Sequence, residues 1–326
     1  MGILDQAPIS GNFITKALEI ARSVASKPVA VRRVSNMPVK EADFANVIIE
    51  EARKRIMKRA RGAVAPLSCL RAIEASMKSP TYMDGVKREM ELGHELMTGA
   101  QSSAMQYAFF AERTAQKWEL PGGKITYKST KPLPINTMGV IGCGTMGTGI
   151  TISCISVNIP VTLIEVNQQL LDRGMAFIKR VYERNVKQGR ISLAMAQKQM
   201  SLVNPTLDYG QLANVDCVIE AIFENMKLKK EIFKKLNAVC KPSALLCSNT
   251  SSLNIDEIAS ATTRPDKVAG THFFSPAHIM KLLENIRGKY TSPETIATVM
   301  TLGKTINKGG CTYRKFTLQY NPDDFL

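Results

Sequence analysis

The stretch Gly139-Val-Ile-Gly-Cys-Gly-Thr-Met-Gly-Thr-Gly-Ile150 decides the fold. Within it, Gly142, Gly144 and Gly147 have the G-x-G-x-x-G spacing. The first glycine of this motif permits a tight turn, the second lets the backbone approach a pyrophosphate, and the third lets a helix pack on a strand. The stretch therefore predicts a cradle for the phosphates of a nucleotide.

The residues around the glycines strengthen this interpretation. Met138–Ile141 is a short apolar strand candidate before the loop. A helix over 147–154 would turn its N-terminal amides toward an anion, with Thr145 and Met146 completing the cradle. The alternative, a glycine-rich β-turn in an ordinary α/β protein, is the weaker one because strand, loop and helix occur together.

An acidic residue follows the next apolar run. Val161–Ile164 is a second strand candidate, and it ends in Glu165, about twenty residues past the glycines. At this point a carboxylate accepts hydrogen bonds from the 2′-hydroxyl of a ribose. Glu165 therefore favours NAD over NADP as the cofactor.

The composition is typical of a globular protein. Of the 326 residues, 44% are hydrophobic and 22% are charged. The sequence contains neither an apolar run of the roughly twenty residues that a membrane span needs nor a secretory signal, so an intracellular protein without a membrane span is expected. The seven cysteines include no C-x-x-C pair, which favours reduced thiols and argues against a metal site.

The net charge of +15 indicates an anionic partner. The densest basic stretch, Arg53–Arg61, follows Glu50 and Glu51 in a helical pattern, and a solvated helix face is its preferred interpretation. Nucleic-acid binding is not expected, because no nucleic-acid-binding motif accompanies the charge and aromatic residues are only 6%. A substrate with several phosphates would use the same charge.

The hydrophobic pattern divides the chain into four parts. Residues 1–118 are helical by pattern, with Gly85, Gly93 and Gly99 as candidate breaks, and 119–136 is a linker rich in Pro, Gly, Ser and Lys. Residues 137–308 alternate short apolar strands with helices, and 309–326 is a divergent tail. This pattern predicts an α/β fold, in which a helical region precedes a Rossmann-type doubly wound domain.

Polar residues follow two of the predicted strands. They are Glu224 and Asn225, with Lys229 one turn into the next helix, and then Ser248, Asn249, Thr250 and Ser251. Ligands of doubly wound sheets bind at the carboxyl ends of the strands, which makes these residues candidates for a site. From spacing alone, the run Ser248–Ser252 is better explained as a turn with a helix N-cap.

A third strand end carries His272, followed by Ser275-Pro276 and Glu284. A dehydrogenase that acts on an alcohol needs a base for the hydroxyl proton, and imidazole titrates in the useful range. The turn at Pro276 would bring Glu284 back beside His272, where a carboxylate would fix the tautomer of the ring. The residues alone leave a structural histidine equally open.

These stretches together resemble a known family. Residues 139–308 are similar to the NAD-binding domain of the 3-hydroxyacyl-CoA dehydrogenases, and the chain from about Ala17 resembles the peroxisomal bifunctional enzyme family, which joins enoyl-CoA hydratase to such a dehydrogenase. The stretches that carry the resemblance are Gln106–Arg113, Gly142–Gly147, Val218–Ala221, Ser248–Ser251 and Thr271–Glu284.

The resemblance implies a reaction and its residues. His272 would be the general base toward the 3-hydroxyl, Glu284 its partner, and Ser251 a hydrogen-bond donor to the substrate oxygen. The implied reaction is oxidation of 3-hydroxyacyl-CoA to 3-ketoacyl-CoA with reduction of NAD, a step of fatty-acid β-oxidation. Peroxisomes are the implied location, although Asp323–Leu326 is not a Ser-Lys-Leu type signal, and the cytoplasm is the alternative.

The resemblance also implies cofactor contacts. Glu224, Lys229 and Asn249 would lie near the nicotinamide and its ribose, and Glu165 would bind the adenosine ribose. The basic charge of the chain is consistent with a phosphate-rich CoA substrate.

Two departures from the family limit the expected activity. The catalytic glutamates of the hydratase domain would lie before Met1, so hydratase activity is not expected. The resemblance stops near Lys308, and the family's catalytic asparagine has no counterpart in 309–326. Dehydrogenase activity is therefore expected to be weak or lost. The alternative is an inactive NAD-binding or interaction protein that self-associates or binds a full-length relative.

Overall fold

The computed structural model describes residues 12–37 and 42–313. The chain divides into two compact units, Met1–Tyr107 and Ala108–Leu326. The first is helical and the second holds the β-sheet, which confirms the α/β fold with an N-terminal helical region.

The helical unit begins as its capping residues predict. Its elements are α1 (Phe13–Ala25), α2 (Val29–Arg32), a 3₁₀ turn (Val34–Asn36), α3 (Ala42–Arg59), α4 (Ala65–Lys78) and α5 (Tyr82–Thr98), and α6 (Ala100–Ala115) runs across the boundary. The side chains of Asn12 and Thr81 accept amide hydrogen bonds at the starts of α1 and α5. Pro66 stands in the first turn of α4, where its missing N–H costs nothing.

The glycines of this unit correct one expectation. Only Gly99 separates two helices, whereas Gly85 and Gly93 lie inside α5. Gly85 is buried, and a Cβ there would lie 3.5 Å from the Cα of Ser76 on α4. A small residue at this position lets the two helices approach, and their packing outweighs the weak helix propensity of glycine.

The basic stretch lies on α3. Arg53 bonds to Glu50 on its own helix and to Glu74 on α4, both at 3.2 Å. Lys58 and Arg59 are exposed. Arg55 also pairs with Glu51 at 3.6 Å, so the stretch is a solvated helix face on which Arg53 links α3 to α4.

The second unit alternates strands and helices. Its elements are β1 (Met138–Ile141), α7 (Thr145–Ile155), β2 (Val161–Ile164), α8 (Gln168–Lys187), α9 (Leu193–Met200), β3 (Val203–Thr206), a 3₁₀ turn (Tyr209–Leu212), β4 (Cys217–Glu220), α10 (Met226–Val239), β5 (Leu245–Ser248), α11 (Ile255–Ala259), a 3₁₀ turn (Pro265–Lys267), β6 (Val268–Phe273), β7 (Leu282–Arg287), α12 (Pro293–Thr305) and β8 (Gly309–Tyr313).

The strands of the described residues form one sheet in the order β3-β2-β1-β4-β5-β6-β7-β8. The pairs from β3 to β6 are parallel, β7 is antiparallel to β6, and β8 is parallel to β7. Apolar clusters cover both faces, one around Ile150 and Leu163 and the other around Phe233 and Leu246. The strand order reverses between β1 and β4, which is where doubly wound sheets bind ligands.

The apolar pattern locates the buried strands but not all the edge strands. Met138–Ile141 and Val161–Ile164 form β1 and β2 with the predicted bounds. β3 contains Asn204 and Pro205 on the edge of the sheet and has no apolar run to reveal it. The first five residues of the stretch 309–326 form β8, and residues 314–326 lie outside the described ones.

Within the described ranges, no helix is both long and apolar enough to cross a membrane. The same ranges contain no group of three or more His, Cys, Asp or Glu side chains that could hold a metal ion. The six cysteines whose side chains are described are free thiols.

Asp216 ties the segment before β1 to the sheet. One carboxylate oxygen accepts amide hydrogen bonds from Asn136 at 2.7 Å and Thr137 at 3.0 Å, and the other lies 2.6 Å from Nζ of Lys241. Burial by itself raises the pKa of this carboxyl, but the Lys241 hydrogen bond and the two amides lower it below its usual range. The charged form is therefore the one that the fold stabilises.

We predict that Asp216→Asn lowers the free energy of unfolding at pH 7 by about 1–3 kcal/mol, because Asn keeps an acceptor but loses the charge-assisted bonds. The folded pKa lies below the unfolded one, so the wild-type advantage is complete above about pH 4 and disappears as the pH falls through the folded pKa. Urea unfolding at pH 7 and at pH 2–3 measures both values. The exposed Asp172→Asn is the control, and an equal loss from Asp216→Asn at both pH values would contradict the assignment.

Candidate functional site

The glycine loop between β1 and α7 is shaped by backbone contacts that exclude side chains. Gly142 has φ of +98°, and a Cβ there would lie 2.7 Å from the carbonyl oxygen of Ala221. A Cβ on Gly147 would lie 1.8 Å from the carbonyl oxygen of Gly142. Gly144, in contrast, has open space where a Cβ would project. Two glycines therefore close the turn, and the third leaves room for a ligand to approach the backbone.

The loop ends at the N-terminus of α7. Gly144 is the N-cap residue and has no side chain with which to cap the helix. The first amides of α7, which include those of Thr145 and Met146, are consequently left for an anion. This geometry fits the pyrophosphate of a dinucleotide.

A cavity of about 690 Å³ opens in front of this loop, at the carboxyl ends of β1, β2 and β4. Its lining includes Gly142, Gly144, Thr145, Met146, Glu165 and Phe223. This volume is in the range of small-molecule sites. The residues predicted to cradle a nucleotide therefore surround one cavity, except for Gly147, which packs behind the loop.

Glu165 is fixed by the loop that it faces. One carboxylate oxygen accepts the amide hydrogen bond of Cys143 at 2.8 Å, and the other accepts that of Val166 at 2.7 Å. Burial, and then the charge of Glu165, raise the pKa of the Cys143 thiol to about 12. Cys143 is consequently a neutral thiol beside the cavity, and Glu165 is held where a ribose hydroxyl can reach it.

Glu224 joins the loops after β4 and β5. A single carboxylate oxygen accepts hydrogen bonds from Thr250 Oγ1 at 2.6 Å and from the amides of Ser251 at 2.9 Å and Ser252 at 3.1 Å. Burial raises the pKa of this carboxyl, but the Thr250 hydroxyl, the charge of Lys229 and the amides outweigh burial and lower it to about 2. Glu224 is therefore ionised and organises the Ser248–Ser252 turn.

Lys229 lies away from the cavity wall. Its side chain is fully buried, with Nζ 2.6 Å from Oε1 of Glu220 and 3.5 Å from Oε2 of Glu224. Glu220 is also fully buried, and its second oxygen accepts the hydroxyl of Ser248 at 2.7 Å. The structure thus places Lys229 between two carboxylates, so any effect on a cofactor passes through Glu224.

Glu220 is a residue that the sequence interpretation did not single out. An acidic residue inside the apolar run Val218–Ala221 is the available signal, because a carboxylate is almost never buried without a partner. The partner, Lys229, is nine residues further along and does not show in the strand pattern.

Asn249 connects the ends of β5 and β6. Its side-chain oxygen accepts the amide hydrogen bond of Phe273 at 2.8 Å. The loop that carries Ser251 is thereby held against the strand that carries His272. Ser251 itself is exposed, and its hydroxyl lies 3.2 Å from Glu224 Oε1.

His272 and Glu284 face each other across the antiparallel pair β6 and β7. The two residues are partners in the register, and His272 Nδ1 lies 2.8 Å from Glu284 Oε2. The imidazole packs on Phe274 with 4.6 Å between ring centroids, and its side chain remains 20% exposed. Within the described part of the chain, Nε2 has no hydrogen-bond partner. The carboxylate holds one ring nitrogen, and the other is available to a substrate.

Similar proteins are known for most of the chain. Residues 137–315 match the family model of the 3-hydroxyacyl-CoA dehydrogenase NAD binding domain. The match runs past Lys308, where the resemblance was expected to stop. The chain is also similar to the peroxisomal bifunctional enzyme of Cavia porcellus, with 42% identity over 310 residues that cover 94% of this chain. It spans about two fifths (42%) of that relative's length.

Two solved structures are similar to the chain. The dehydrogenase part of multifunctional enzyme 1 from C. elegans is 31% identical with a TM-score of 0.58, covering 64% of this chain and 48% of that one. The 3-hydroxybutyryl-CoA dehydrogenase of Escherichia coli is 35% identical with a TM-score of 0.55, covering 56% of this chain and 39% of that one.

Two of the loop glycines should respond differently to the same substitution. We predict that Gly147→Ala lowers the free energy of unfolding by about 3 kcal/mol, because its methyl group overlaps the Gly142 carbonyl. Gly144→Ala should leave stability within about 0.5 kcal/mol but weaken NADH binding roughly tenfold or more, because its methyl group enters the cavity. Urea unfolding and NADH fluorescence titration measure the two effects. Similar NADH affinity for Gly144→Ala and wild type would contradict the cradle.

Proposed function

The chain belongs to the 3-hydroxyacyl-CoA dehydrogenase family, and we propose that it oxidises 3-hydroxyacyl-CoA to 3-ketoacyl-CoA with NAD as the hydride acceptor. The observation that carries the proposal is the His272–Glu284 pair on β6 and β7, in which Nδ1 of the imidazole lies 2.8 Å from a carboxylate oxygen. A relative named as peroxisomal supports the peroxisome as the setting, and another named as a fatty acid beta-oxidation multifunctional protein supports that pathway.

His272 acts as the general base in this proposal. Its Nε2 accepts the proton of the 3-hydroxyl. NAD, which the glycine loop and Glu165 would hold, would supply the hydride acceptor for the carbon that carries this hydroxyl. Glu284 accepts the hydrogen bond of Nδ1–H, which keeps the lone pair on Nε2 and stabilises the imidazolium that forms. The substrate oxygen becomes a carbonyl and the proton stays on His272.

The neighbouring loops position the reactants. The hydroxyl of Ser251 donates a hydrogen bond to the substrate oxygen. Asn249 and Glu224 lie near the nicotinamide and its ribose. Glu224 also sets the conformation of the Ser251 loop through its amide hydrogen bonds. Lys229 is a positioning residue, because its buried side chain contacts Glu220 and Glu224 and acts on the Ser251 loop through Glu224.

We propose that turnover by the 326-residue chain is slow. Residues 309–326 contain no match for the asparagine that the family resemblance implies beside Ser251 at the substrate oxygen. Removal of one such donor typically costs about a hundredfold in rate. Cofactor binding depends on the glycine loop and Glu165 and is retained.

The test is NADH formation from 3-hydroxybutyryl-CoA. We predict that His272→Ala abolishes turnover and that Glu284→Gln lowers kcat about a hundredfold or more, because the neutral amide does not stabilise the imidazolium. NADH affinity should stay within about twofold in both variants. His94→Ala, which replaces an exposed histidine of the helical unit, is the matched control and should be unchanged.

Two results would count against the proposal. Undiminished turnover in His272→Ala would remove the base from the mechanism. A folded wild-type protein that gives no saturable NADH signal would remove the cofactor as well. NADH binding without turnover in any variant would instead support the alternative, a binding protein derived from the dehydrogenase.

The exposed apolar face of α1 favours an interaction role for the helical unit. Phe13, Ile14 and Leu18 of α1 are 78%, 70% and 51% exposed, and Ile14 and Leu18 lie one helical turn apart. We propose self-association through this face. Light scattering should show a concentration-dependent mass that Leu18→Glu reduces, and a monomer at all concentrations would contradict it.

A further inference from the structure

A second cavity of about 390 Å³ lies in the unit that contains the sheet, between the end of α6, the segment 116–132 and α12. It shares no lining residue with the glycine-loop cavity. The dehydrogenase mechanism uses none of its residues. Its volume is in the range that small-molecule ligands occupy.

The lining is strongly basic. Its charged residues are Arg113, Lys117, Lys304 and Lys308, and none of its residues is acidic. Lys308 is buried and donates to the carbonyls of Ala277 and Met280, which lie in the connection between β6 and β7.

The other three basic side chains of the lining, Arg113, Lys117 and Lys304, are exposed. Arg113 lies over the ring of Phe109 and donates to its carbonyl oxygen. For Lys117 and Lys304, no ion pair is formed by the side chain within the described residues. The basic helix α3 behaves differently, because Arg53 there contacts two glutamates. Cations gathered around a concave surface without counter-charge favour a bound anion.

The floor of this cavity is aromatic and apolar. Trp118 packs with Ile296, Ala297 and Met300, and Tyr127 adds a partly exposed ring. A flat ring system can bind such a surface while phosphates reach the cations at the rim. The cavity therefore offers an apolar surface to the nucleobase and cations to the phosphates of a nucleotide.

We propose that this cavity is a second binding site that takes a nucleoside 5′-phosphate, with the base against Trp118 and Tyr127 and the phosphates at Lys117 and Lys304. The ligand is either a free nucleotide or the ADP portion of coenzyme A, which present the same chemistry. The site is separate from the dinucleotide cavity and does not depend on turnover.

The chain has one tryptophan, so its fluorescence reports on this cavity directly. ADP is titrated into the full chain while saturating NAD occupies the glycine loop. We expect a saturable change in Trp118 emission, weakened roughly tenfold by Lys117→Gln or Lys304→Gln, because each removes a charge-assisted contact to phosphate. Lys198→Gln, an exposed lysine on α9, is the matched control and should bind ADP as wild type does.

Titration with coenzyme A and with adenosine distinguishes the two candidate ligands and shows whether phosphate is bound. Tighter binding of coenzyme A than of ADP assigns the site to the coenzyme, and the reverse assigns it to a free nucleotide. A flat Trp118 signal overturns the proposal. Equal affinity for adenosine and ADP, or an equal loss in all three lysine variants, also overturns it, because neither result needs phosphate bound at this cavity. The NADH titration above is unaffected by any of these results.

Discussion

The contact between Gly147 and the carbonyl oxygen of Gly142 is the constraint on which the site depends. The first turn of α7 can lie against the end of β1 only where no Cβ intervenes. That approach orients the free amides of α7 toward the crevice at which the strand order reverses. The anion site is thus a property of backbone packing, and the side chains around it adjust affinity and selectivity.

Hydrogen bonds between neighbouring strand ends fix the loops that surround the reacting groups. Glu224 collects the loop after β5, and Asn249 holds that loop to β6. His272 and Glu284 lie within strands, where the register fixes their separation. Groups on strands are positioned more precisely than groups on free loops, which suits a proton transfer that requires hydrogen-bond geometry.

The sequence predicts the fold class, the glycine loop and the buried strands because each leaves a local signal. Met138–Ile141 is apolar since both faces of its strand are covered. The edge strand β3 leaves no such signal, and Gly85 reads as a break although it packs inside α5. Lys229 shows the limit most clearly: its position in sequence suggests a cofactor contact, whereas tertiary packing buries it against Glu220.

The Glu220–Lys229 pair also constrains how this chain can change. Neutral replacement of Lys229 alone would leave the buried carboxylate of Glu220 without its counter-charge, at a cost of about 3–5 kcal/mol, whereas removing both charges together costs far less. The wild-type pair and a double neutral replacement are therefore both tolerated, whereas replacement of Lys229 alone is unfavourable. Variation at these two positions is expected to be concerted, so an altered partner at one position identifies an altered residue at the other.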